Sequence, residues 1–168
     1  LKRWDARRFA ELADLLVERR GARVVFTGQG AEESALIDEA RRGMRHADRA
    51  VSLCDRLGVG ELLGLLEASA FVVSNDTSVM HLAGLVHTPV VAFFGPTEPR
   101  IYGPRGTADL VLYKSLYCSP CLSNYNLKMS RCVDPVCMRA IGVDEVIAGI
   151  DARFPAGERV AMPRAASL

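Results

Sequence analysis

Short apolar runs alternate with longer stretches of helical period along this chain. Residues 2–20 place Phe9, Leu12, Ala13, Leu15 and Leu16 on one face of a helix, and Gly21 ends it as a C-cap. Residues 23–27 (RVVFT) predict a short buried strand, Gly28-Gln29-Gly30 a turn, and residues 31–44 a second helix with Glu32 and Glu33 in its first turn, where the helix dipole favours acids. The alternation continues with strands at 50–53, 71–74, 90–94 and 109–113 and helices at 60–69 and 77–86. An irregular stretch follows over 114–135, then a helix over 143–153. Strands separated by helices predict an α/β protein: a Rossmann-like parallel sheet with right-handed crossovers and helices on both faces. The chain opens in a helix where such sheets open in a strand, so it is read as part of a longer polypeptide that lacks its first strand. Residues 1–154 are expected to form one unit, with a cysteine-rich segment at 114–138. Residues 155–168, rich in Ala, Arg and Pro, are expected to be a flexible tail.

Composition narrows the class of function. The chain has 168 residues, 49% hydrophobic and 24% charged, which are globular values. Lys plus Arg is 21 and Asp plus Glu is 20, a formal net charge of +1, which argues against a nucleic-acid partner. No apolar run reaches the roughly 18 residues of a membrane span, and residues 1–16 lack the apolar core of a signal peptide. The expected location is therefore the cytoplasm.

The candidate chemistry gathers where strands end, because ligands of open parallel sheets bind beyond the carboxyl ends of strands. After the strand at 71–74 comes Asn75-Asp76-Thr77-Ser78 at the start of a helix, with His81 one turn further on. Asp76 is read as the N-cap. The hydroxyls of Thr77 and Ser78 and the free amides of the helix start make an anion site, and a phosphate or diphosphate is its natural guest. After the strand at 90–94 comes Gly95-Pro96-Thr97-Glu98-Pro99. It reads either as a rigid turn or as a loop whose Gly95 turns tightly while Thr97 donates to a ligand. Gly28-x-Gly30 is half of a dinucleotide fingerprint, with Glu33 where a third glycine would stand. Glu32 there either accepts from a ribose diol or only complements the helix dipole.

Of five cysteines, Cys54 is read as a core residue in its strand. The others are spaced Cys118-x2-Cys121-x10-Cys132-x4-Cys137. Three readings are open: a structural zinc held by the four thiolates, a clasp of free or oxidisable thiols, and catalytic thiol chemistry. No histidine lies near the cluster in sequence, which disfavours the last.

The runs Asn75-Asp76-Thr77-Ser78-Val79-Met80-His81-Leu82-Ala83 and Pro89 to Pro99, with its Phe94-Gly95-Pro96-Thr97 core, resemble glycosyltransferase family 9, which holds the ADP-heptose:lipopolysaccharide heptosyltransferases. Lys2-Arg3-Trp4, Cys118-Ser119-Pro120-Cys121 and Cys137-Met138 add to the resemblance, which covers roughly residues 1–150. It implies the C-terminal, donor-binding half of a GT-B fold. On it, Asp76, Thr77 and Ser78 line the diphosphate and sugar of a nucleotide-sugar donor, with His81 beside them. Glu32, next to Gly28, holds the ribose, and Gly95 to Thr97 form part of the cleft wall. Ser78 stands where the family often has Gly, which narrows the approach to the phosphate. The implied reaction is inverting sugar transfer with no obligatory metal, heptose from ADP-heptose to a lipid-linked or oligosaccharide acceptor of the lipopolysaccharide core. Peripheral contact with the inner membrane would follow. The general base is expected in an N-terminal half, so no catalytic residue is expected here. Two competitors remain: a zinc-stapled binding module, and a sugar-nucleotide epimerase of the same architecture.

Overall fold

The computed structural model describes residues 1–106, 108–127 and 129–155. Its elements run α1 (Ala6–Arg20), β1 (Val24–Phe26), α2 (Ala31–Gly43), β2 (Ala50–Ser52), α3 (Val59–Ala68), β3 (Val72–Asn75), α4 (Ser78–Leu85), β4 (Val90–Phe94), α5 (Pro99–Tyr102), β5 (Leu110–Tyr113), α6 (Val136–Arg139) and α7 (Val143–Arg153). The tail expected at 155–168 lies, from residue 156 on, outside the described residues. No helix among the described residues is long and apolar enough to cross a membrane.

Local chemistry sets the element ends. Gly21 takes a left-handed conformation (φ 61°) and its N–H closes on the carbonyls of Leu16 and Val17, as a C-terminal glycine does. At the other end α1 begins at Ala6, later than the pattern suggests, because the Asp5 carboxylate accepts from the Arg7 amide and caps the helix there. Residues 1–5 are thereby released to run across the sheet. Cys54 is likewise displaced from its expected place. It lies beyond β2, in a turn, and is half-buried, not core.

All strand pairs are parallel, but they fall into two ladders, β1–β2 and β3–β4–β5. In a doubly wound sheet of order 3-2-1-4-5-6, the strand leading into the first helix lies between these two groups. Among the described residues no strand bridges β1 and β3. Strand β4 is buried on both faces, as central parallel strands are. Val91 and Phe93 pack into a core with Trp4, Leu12, Met138, Ile141 and Ile150, beneath α1 and α7. Val90, Ala92 and Phe94 pack with Leu66, Met80 and Ala83, beneath α3 and α4. Asp151 on α7 takes both Arg19 and Arg20, and their hydrogen bonds hold its carboxyl below the usual carboxylate range.

Candidate functional site

Two strand ends lie side by side. Asn75 of β3 is in register with Phe93 of β4, so the turns that follow share one corner of the sheet. There Asp76 does not cap α4. The cap position belongs to Thr77, whose hydroxyl makes no bond to the helix amides. The Asp76 carboxylate instead accepts from Lys2 Nζ at 2.6 Å and from Thr97 Oγ1 at 2.8 Å. A cation and a buried hydroxyl are stronger partners than a solvated amide, and they turn the side chain away from the helix. Thr97, 1% exposed, is fixed by this bond. Behind it, Ser74 Oγ lies 3.1 Å from Thr77 Oγ1. The start of α4 is therefore left without a side-chain cap, with Thr77, Ser78 and His81 exposed around it.

Lys2 is the residue that sequence reasoning missed. Its partner stands 74 positions away, so no local pattern announces it. It belongs to a leading segment that reaches several elements at once. Trp4 N donates to Asn75 Oδ1, and Trp4 Nε1 donates to the carbonyl of Ile141. Between them, the Arg3 guanidinium pairs with Glu32 at the start of α2. Consecutive Cα atoms are about 3.8 Å apart, so Lys2 and Arg3 bring Asp76 and Glu32 within two side-chain lengths of one backbone position.

The turn after β1 differs in kind. Gln29 N donates to Glu33 Oε2 (2.8 Å) and Gly30 N to Asp55 Oδ1 (2.7 Å). Its amides are already taken by carboxylates, and it is no anion cradle. This is why Glu33 replaces a third glycine: it folds back over the turn, and a Cβ on Gly28 would meet it at 2.9 Å. Gly30 sits at φ 85°, which only glycine adopts readily. Exposed Glu32 is held below its ordinary value of 4.5 by the hydrogen bond and charge of Arg3. A depressed carboxyl adds stability above the unfolded value, and that contribution disappears as pH falls through the folded one. Replacing Arg3 by alanine will move the Glu32 midpoint up toward 4.5 in a carboxyl-carbon NMR titration; an unmoved midpoint would show that the pair is not formed in solution.

The four clustered cysteines lie in the segment that follows β5. Among the described residues no three His, Cys, Asp or Glu side chains are arranged to hold a metal. Cys118 is exposed on its turn, while Cys137 is buried below Gly95, and all are free thiols. The segment instead grips the turn after β4: the amides of Cys121 and Leu122 both donate to the carbonyl of Pro96, and the Ser119 hydroxyl bonds that of Gly95. A surface hollow lined by Asp38, Arg41, Arg42, Met44 and Ala47 lies at the opposite edge of the sheet, where α2 ends.

A parallel α/β layer here carries an uncapped helix start and a lysine–aspartate pair at its carboxyl edge, the architecture of a Rossmann-like domain. The model of glycosyltransferase family 9 (heptosyltransferase) matches residues 1–130, and the chain belongs to that family. It is similar to lipooligosaccharide heptosyltransferase 2 of Haemophilus influenzae, 30% identical over 105 residues that make up 61% of this chain and 30% of that one. Among solved structures, E. coli ADP-heptose lps heptosyltransferase II superposes with a TM-score of 0.73 at 22% identity, over 90% of this chain and 41% of that one. E. coli heptosyltransferase WaaC with ADP gives a TM-score of 0.69 at 20% identity, over 90% and 40%. These neighbours bear out the GT-B-type fold. The chain spans about a third of the length of the curated relatives it matches.

Proposed function

We propose that residues 1–154 are the donor-binding half of an inverting glycosyltransferase that moves a sugar, heptose from ADP-heptose, onto the lipopolysaccharide core or a related cell-surface glycan. The observation that carries this reading is the Lys2–Asp76–Thr97 knot at the uncapped start of α4. A leaving diphosphate gathers negative charge as the glycosidic bond breaks. Helix amides and a fixed ammonium stabilise that charge without reorganising, the same logic as an oxyanion hole. In this reading Lys2, the Ser78 hydroxyl and the α4 amides hold the diphosphate, with His81 at its flank. Asp76, kept in place by Thr97, accepts from sugar hydroxyls. Glu32 exchanges Arg3 for the ribose diol, above the turn of Gly28. The Gly95–Thr97 turn walls the sugar.

Similarity to a neighbour solved with ADP and to one solved with ADP-2-deoxy-2-fluoro heptose supports an ADP-sugar as the donor. The acceptor is lipid-linked or an oligosaccharide, met at the cytoplasmic face of the inner membrane, and the base that activates its hydroxyl lies outside these residues. Titration calorimetry of this chain with ADP, UDP and GDP tests the reading. ADP is expected to bind at micromolar to millimolar concentration, and Asp76→Ala to weaken an ADP-sugar more than ADP itself. Should none of the three nucleotides bind at millimolar concentration, the donor site is wrongly assigned.

A further inference from the structure

We propose that the cysteine-rich segment is a buttress for the Gly95–Thr97 turn, with Cys137 as the positioning residue whose sulfur sets where that turn lies. The inference rests on the donor-site reading above and adds to it the part of the chain that controls the site. Parallel pairing of β4 with β5 ends at Phe94 opposite Tyr113. Beyond that point the two backbone carbonyls of the turn would be left without ladder partners. The segment after β5 takes them over: Ser119 bonds the carbonyl of Gly95, and the Cys121 and Leu122 amides, at 2.9 and 2.7 Å, share that of Pro96. Thr97, the next residue, is the one that fixes Asp76.

The back of the turn is closed by sulfur. A Cβ on Gly95 would lie 2.8 Å from Cys137 Sγ and 2.7 Å from Met138 Sδ. The Met138 thioether is also buried but lies near the end of a flexible chain that repacks more readily. Cys137, short and buried in α6, has nowhere to go. Burial also pushes its thiol up, so it meets the turn as a neutral packing group. Gly95 is thus small because Cys137 is there.

The amides of Cys121 and Leu122 report the buttress directly through hydrogen exchange, and calorimetry with ADP reports the site. Gly95→Ala is expected to speed exchange at both amides about tenfold and to weaken ADP about tenfold, because packed neighbours do not behave additively. Adding Cys137→Ala is expected to bring both readings back to within about threefold of the native chain, which a general loss of stability would not do. If the double variant is as impaired as Gly95→Ala alone, Cys137 does not position the turn. Ser119→Ala, a milder change, is expected to speed exchange at the same amides about threefold; unchanged exchange there also overturns the buttress. If the native chain binds no ADP while the exchange pattern holds, the donor reading falls and the buttress stands.

Discussion

Replacing Lys2 by alanine will weaken ADP binding by about 10- to 100-fold. A hydrogen bond to a charged group contributes about 1.5–3 kcal/mol, and about 1.4 kcal/mol is one factor of ten in affinity. Two effects add in the same direction. The diphosphate loses its ammonium, and Asp76, held 2.8 Å from Thr97, keeps its negative charge beside the ligand with no cation to offset it. Folding will change less than affinity, since the Lys2 side chain is a third exposed and the largely buried Asp76 carboxylate keeps its hydrogen bond from Thr97. The two quantities therefore separate: calorimetry at low and high salt will show a large loss of affinity and a flattened salt dependence, while thermal unfolding stays within a few degrees. Equal affinity of native and variant chains would remove Lys2 from the site.

Replacing Trp4 by alanine will have the largest effect on stability. Trp4 is 4% exposed, its ring lies 4.5 Å from that of Phe93 and 5.1 Å from that of Phe9, and its indole donates to the Ile141 carbonyl. Truncating a buried tryptophan costs about 3–5 kcal/mol. For a domain of this size that lowers the melting temperature by roughly 10 °C. The loss reaches the site as well, because Trp4 N holds Asn75 and Trp4 stands two residues from Lys2. Nucleotide affinity is expected to fall with stability, whereas Trp4→Phe, which keeps an aromatic ring but not the indole N–H, is expected to keep most of the affinity. A melting point within 2 °C of native in Trp4→Ala would contradict the packing described above.

How far the sequence could be read depended on how local each signal is. Strand β4 is an unbroken apolar run beside Pro89, and α7 has a clear helical period; both fall where the pattern put them. The Gly21 cap was equally legible, because a left-handed residue after a basic last turn is a local feature. Short helix α5 was missed although Glu98 followed by Pro99 is a start signal, since two prolines in a small loop suggested a turn. The closeness of the turns at Asp76 and Thr97 followed from parallel pairing alone. The role of Asp76 did not, because its partners come from residues 2 and 97 and only tertiary folding brings them in. The cysteine spacing left its readings open for a related reason. It fits a metal knuckle as well as a clasp, and the contacts of the segment with Gly95 and Pro96 come only with tertiary folding.

The carboxylates that occupy the Gly28–Gly30 turn give the carboxyl edge of the sheet an electrostatic direction. Glu33 and Asp55 repel anything anionic from the β1 end, while Lys2 and the open amides of α4 attract it to the β3 end. In the donor reading proposed above, this gradient would place the ribose end of a nucleotide sugar toward β1 and its diphosphate at the start of α4.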